Sequence, residues 1–222
     1  MKRFMTSFLL VALLGCGNAM EDPAVSPSDT SGSKAPISVS GPMTIARSDL
    51  FPLLGENLFL SLQLVEGSYH EDWSPGPFAG RSWTGEFVLK ILNDNEEAVG
   101  EFPMSGAFAE ALVFNDTFEI PFEDYNGDGN ADFTIGQYGS SSGDFYKIFT
   151  ITGDRTIKEL PIRGTRELFV SGGANRYSTK LEKLGPGVFR KKSYDNSVAK
   201  TIVDTFRWEG EDFVKIDSRE EG

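Results

Sequence analysis

The sequence predicts an antiparallel all-β domain, on three observations. Apolar residues recur with period two: Leu58, Leu60, Leu62 and Leu64 alternate with Phe59, Ser61, Gln63 and Val65, and Phe87, Leu89 and Ile91 alternate with Val88, Lys90 and Leu92. Turn-forming residues separate nearly all of the short apolar runs. No stretch alternates strands with long helices, which excludes the doubly wound α/β cofactor folds. The expected architecture is an antiparallel meander of propeller-blade-like or sandwich type, a single domain over residues 43–222 behind a flexible N-terminal tether.

In chain order, strands are expected over 57–65 and 86–92, the second followed by the turn Asn93-Asp94-Asn95-Glu96 and a returning strand over 98–104. Further strands are expected over 112–114, 118–122, 133–137, 145–152, 158–162, 167–170, 178–181, 188–192, 200–208 and 213–216. The last two flank the acidic turn Glu209-Gly210-Glu211-Asp212, so the chain closes on a hairpin. The best helical segment is 107–112, where Phe108, Ala111 and Leu112 share a face, but it is short and lacks a capping box. Two long loops are expected, 67–83 and 136–143.

Composition narrows the chemistry. With 222 residues, 39% of them hydrophobic and 18 of them Phe, a sizeable core is available and whole-chain disorder is excluded. One Cys and one His leave no room for an intrachain disulfide, a Cys-rich zinc site or a multi-histidine metal centre. The net charge of -12 repels phosphate backbones and anionic headgroups, so no nucleic-acid partner is expected.

The N-terminus supplies an address. Lys2 and Arg3 precede an apolar run from Phe4 to Leu14, too short to span a bilayer as a helix, and the run ends in Leu13-Leu14-Gly15-Cys16. This resembles the bacterial lipobox. The resemblance implies a signal peptide over 1–15 and a mature protein beginning at Cys16, which carries diacylglycerol and acyl chains such as palmitate. Cleavage there removes two cations and no acid, taking the net charge from -12 to -14. A domain so acidic stands off an anionic surface, and lipid must hold it, each buried CH₂ contributing about 0.8 kcal/mol. Half of residues 17–42 are Ser, Pro or Gly without hydrophobic period, so 16–42 is expected to be a flexible linker. The implied location is the cell envelope of a bacterium: the outer face of the cytoplasmic membrane, or the outer membrane where a cell has two.

One loop carries chemistry. Asp124, Asn126, Asp128 and Asp132 place side-chain oxygens at positions 1, 3, 5 and 9 of Asp124-Tyr125-Asn126-Gly127-Asp128-Gly129-Asn130-Ala131-Asp132, with Gly129 at position 6 and the Asn130 carbonyl as a further donor. Ca²⁺ takes about six to eight oxygens, and alternate residues of a tight loop can aim theirs at one centre. An EF-hand is excluded, because position 12 is Ile135 and both flanks are strand-like. The stretch instead resembles the calcium loop of FG-GAP or VCBS-type repeats, in which a DxDxDGxxD segment links two strands of a blade. That resemblance spans residues 118–149 and implies a structural Ca²⁺. The loop occurs once, so a complete propeller is not expected.

His70, the only imidazole, lies in a polar segment, so it is expected to be a solvated loop residue and no catalytic residue is assigned. Trp73, Trp83 and Tyr138 lie among glycines and prolines in the two long loops and form the candidate ligand surface; the competing expectation is that they pack onto the core. The functional expectation is a monomeric, membrane-anchored binding module for an extracytoplasmic protein or wall polymer. Resemblance to blade-like lipoproteins with one calcium loop implies an alternative, an inhibitor of a cell-wall hydrolase such as lysozyme.

Overall fold

The structure, a computed structural model, describes residues 34–173 and 175–221. The expected signal peptide and Cys16 lie outside the described residues. The chain runs through β1 (Ile37–Asp49), a one-turn helix α1 (Phe51–Leu54), β2 (Phe59–Asp72), β3 (Gly80–Leu92), β4 (Ala98–Pro103), β5 (Val113–Phe114), β6 (Phe122–Glu123) and β7 (Ala131–Ser140). It continues through β8 (Gly143–Ile151), β9 (Ile157–Leu160), β10 (Leu168–Val170), β11 (Glu182–Gly185), β12 (Val188–Asp195), β13 (Lys200–Trp208) and β14 (Phe213–Glu221). The domain is all-β and every named pairing is antiparallel, as the alternation predicts.

Consecutive strands build three successive sheets. The first is β1-β2-β3-β4, with β5 pairing β3 further along its outer edge; the second is β10-β8-β7-β6, with β9 also on β8; the third is β11-β12-β13-β14. Successive side chains on a strand face opposite ways. On the second sheet this divides the apolar residues between two cores. Phe133, Ile135, Phe149 and Ile151 join Leu60, Leu62, Leu89 and Phe114 of the first sheet in one cluster. Tyr146 and Ile148 join Phe189, Phe206 and Phe213 of the third sheet in the other. Each such buried Phe, Leu or Ile contributes about 1.5–3 kcal/mol, so the second sheet is stabilised from both faces.

The β2–β3 hairpin positions the candidate site. Its register slips by one residue between Leu64 and Glu66, and Gly67 lies opposite Gly85 at the slip. Gly85 takes φ +143, and a Cβ there would meet the Glu66 carbonyl oxygen at 2.2 Å. The two bare backbones therefore cross where side chains could not. Beyond them the arms continue to Asp72 and Gly80, with β5 pairing onto Trp83 and Thr84.

Several elements differ from expectation. The loop over 67–83 is mostly hairpin, because the strands absorb a one-residue slip at Val65 and pair on through Gly67 and Gly85, and only 73–79 is left as the connection. The second loop, 136–143, is likewise the end of the β7–β8 hairpin. β1 starts at Ile37, ahead of Met43, because Gly41 at φ 108 forms a bulge that carries the strand through Gly-Pro. The linker therefore ends before 42. Residues 107–112 form a turn, a bend and irregular chain, and the helix is α1 instead, marked by Pro52 in its first turn and left-handed Gly55 after its end. Of 118–122, Phe118 makes only a parallel bridge to Ala46, and β6 begins at Phe122. Residues 178–181 bond through side chains, Thr134 Oγ1 donating to the Thr179 carbonyl at 2.7 Å, and the strand forms afterwards as β11.

Candidate functional site

The loop from Asp124 to Asp132 joins β6 to β7, so it links two strands, as its strand-like flanks predict. Side chains close it on itself. The Gly127 N–H donates to Asp124 Oδ1 at 2.7 Å, the Asp128 N–H to Asn126 Oδ1 at 3.1 Å, the Asn130 N–H to Asp128 Oδ1 at 2.8 Å, and Asn126 Nδ2 to Asp128 Oδ2 at 2.8 Å. Gly127 and Gly129 adopt φ 81 and 84, where other residues are strained, so the bend uses both.

Asp132 is the deepest of the five expected ligands. It is fully buried, and its Oδ2 accepts from the Tyr125 N–H at 2.8 Å and the Asn126 N–H at 3.3 Å. Its Oδ1 is equally buried and has no hydrogen-bond partner. The Thr150 hydroxyl, opposite in the β7–β8 ladder, favours the carboxylate without forming a well-directed bond to it. Burial prevails and pushes the Asp132 carboxyl up to about 6. Lys183 supplies a counter-charge, its Nζ 3.3 Å from Glu123 and 3.7 Å from Asp124.

Among the described residues no group of three His, Cys, Asp or Glu side chains is placed to hold a metal ion. The donor set still suits a hard cation: Asp124, Asn126, Asp128, Asn130 and Asp132 offer oxygen, three of them charged, and Asp132 Oδ1 is a buried oxygen with its lone pairs unspent. An ion bound here would replace internal bonds of Asn126 and Asp128 with metal–oxygen bonds.

The three aromatic candidates part company. Trp83 is core: it is 5% exposed and its ring lies 5.8 Å from that of Tyr69. It is removed from the ligand surface, because its position on β3 faces the first core. Trp73, at the hairpin tip, is 75% exposed, with one ring edge lying 3.5 Å from where a Cβ on Gly80 would sit. Tyr138, near the end of β7, packs edge-on against Phe78 of the tip at 5.6 Å.

Arg176, which no motif in the sequence singles out, fastens this arrangement. Its guanidinium lies 5.2 Å from the Tyr138 ring centre and 5.7 Å from that of Phe78. It donates to the Pro77 carbonyl at 2.6 Å and approaches Asp144 at 3.7 Å. Partial burial raises the Asp144 carboxyl above its usual range, opposed by the Arg176 charge. His70 lies on β2, paired with Ser82, and not in a loop. The chain matches no family model, no curated protein and no solved structure.

Proposed function

We propose that this protein is a lipid-anchored protein of the bacterial envelope whose calcium-stabilised β-domain is an interaction module. The observation that carries the binding role is the hairpin tip: Trp73 stands 75% exposed on it, and the tip is held by Phe78 packing against Tyr138 of the second sheet and by Arg176 donating to the Pro77 carbonyl. Large aromatics held on a rigid support supply contact area at low entropic cost. Ca²⁺, when bound, would neutralise the three loop carboxylates and relieve the unpartnered Asp132 oxygen; its part is structural. Cys16 would carry the lipid, and its residue class and place in the lipobox are what support that assignment.

Capture from the native surface tests the reading. Wild-type protein in calcium should retain a partner, Trp73→Ala should retain less, and EDTA should weaken retention by loosening the domain. Equal recovery by wild type and Trp73→Ala would overturn the role of the tip. A mature N-terminus other than a lipidated Cys16, read by mass spectrometry, would overturn the anchor.

A second reading, inhibition of a cell-wall hydrolase such as lysozyme, is favoured by the charge of -12, which suits a basic enzyme. Cells lacking the protein would then be more sensitive to lysozyme, and purified protein would slow wall lysis.

A further inference from the structure

Beside the hairpin tip, lined by Phe78 of the tip and Tyr138 of β7, lies a pocket of about 440 Å³. Its walls are aromatic: Phe78, Phe108, Tyr138 and Phe145, the last 37% exposed. Its charged lining is Glu110 and Glu167, with no Lys, Arg or His among the described residues that line it. Glu167 is held in place by accepting the Ala109 N–H on Oε1 at 3.0 Å. Gln137 in the floor is committed, its Oε1 accepting from the Val113 N–H at 2.9 Å and its Nε2 donating to the Gly136 carbonyl at 2.8 Å.

Aromatic walls with carboxylates and no cation favour a ligand that is flat or apolar along its body and positive at its head. The same two rings already show which cation they accept. Arg176, outside this pocket, lies within cation–π reach of both Phe78 and Tyr138. A guanidinium stacks on aromatic faces and forks onto carboxylates, which a lysine ammonium does less well. The net charge of -12 attracts basic proteins over distances of several ångströms and raises their encounter rate.

We propose that this pocket docks an arginine side chain of a basic protein partner. The assignment rests on the reading of the domain as an interaction module and names the chemistry that module recognises.

Three capped tripeptides differing only in the central residue test it: Gly-Arg-Gly, Gly-citrulline-Gly and Gly-Lys-Gly, titrated into the full chain by NMR with labelled Phe and Tyr. The arginine peptide should bind saturably and shift Phe78, Tyr138 and Phe145 resonances. Citrulline, isosteric but neutral, should bind at least ~10-fold more weakly, and lysine more weakly than arginine. Glu110→Gln with Glu167→Gln, which keeps the Ala109 acceptor, should weaken the arginine peptide ~10-fold; Glu101→Gln on β4 should not. Arginine and citrulline, or arginine and lysine, binding equally would overturn the proposal, as would shifts confined to residues outside the pocket. Because the peptides need no native partner, a failed surface capture with intact arginine binding would sink the interaction reading alone, and the reverse would sink the pocket alone.

Discussion

Gly67 and Gly85 cross with almost no space between them: a Cβ on Gly67 would lie 2.1 Å from the Thr84 carbonyl oxygen and 2.9 Å from the Gly85 Cα. The obstacle is backbone, which cannot swing aside as a side-chain end does. Gly67→Ala should therefore cost about 3 kcal/mol, the upper end of overpacking penalties, and lower the melting temperature by about 6–12 °C. Gly153→Ala, with nothing within 4 Å of the new methyl, should change it by less than about 2 °C. Thermal melts of residues 34–222 decide this; equal effects would reject the close crossing.

An ion that binds only the folded state stabilises it by RT ln(1 + [L]/Kd). For an extracellular-type site with Kd near ~10⁻⁴ M, about 1–2 mM Ca²⁺ adds roughly 1–2 kcal/mol, a shift of a few degrees. Asp128→Ala should abolish the shift, and Asp94→Ala, in a turn without the 1-3-5-9 spacing, should keep it. Melts in EDTA and in calcium check all three proteins; identical wild-type curves would reject the site.

Lys191 and Asp204 form a buried ion pair on neighbouring strands β12 and β13, 2.9 Å apart and each under a tenth exposed. Breaking one partner leaves a buried charge, so Lys191→Met alone should cost about 3–5 kcal/mol, whereas Lys191→Met with Asp204→Leu should recover most of it. Chemical denaturation of the single and double variants measures the difference. A double variant no better than the single would reject the account.

Acid should act through the same pair. Burial raises the Asp204 carboxyl, but hydrogen bonds from Ser218 and Lys191 and the charges of Lys191 and Lys215 outweigh it, and the net shift is downward. A depressed folded-state value means that the unfolded chain binds the proton first. The contribution is fully present above the unfolded value of about 3.9 and is lost as pH falls through the lower folded one. Asp204→Asn should flatten this part of the acid limb; an unchanged slope would exclude Asp204 as its source.

The two tryptophans of the hairpin should behave oppositely. Trp83→Ala empties a buried site and should cost about 3–5 kcal/mol. Trp73→Ala should leave the melting temperature within about 2 °C while weakening partner capture. A large loss of stability in Trp73→Ala with capture intact would place Trp73 with the packing residues.

Strands with strong alternation were legible because the register of Leu58, Leu60, Leu62 and Leu64 is set by the one face that meets the apolar core. What alternation cannot show is partnership at a distance. Gly67 and Gly85 each look like a strand breaker and become a close, in-register strand pair only when they meet. Ile37 to Ser40 are hidden in linker-like composition, and pairing with Glu66 to Tyr69 makes them a strand. The loop spacing from Asp124 to Asp132 is local and was readable; Lys183, beside Asp124, comes from a segment far along the chain. Trp83 is assigned to the core by Phe114, its partner on β5, which nothing near Trp83 announces.

The first rung of β1 joins Ile37 to Tyr69, and Lys34 reaches Glu71 at 3.0 Å, so the N-terminal segment meets the domain beside the hairpin tip. Tension between that segment and a partner held at the tip would run through the rungs from Ile37 to Ser40 and bypass both cores. Pulled end-on, those rungs would open one at a time, at low force, like a zip. The outer part of β1 would thus yield as a mechanical fuse, paying out chain while the rest of the sheets and the loop from Asp124 to Asp132 stay folded.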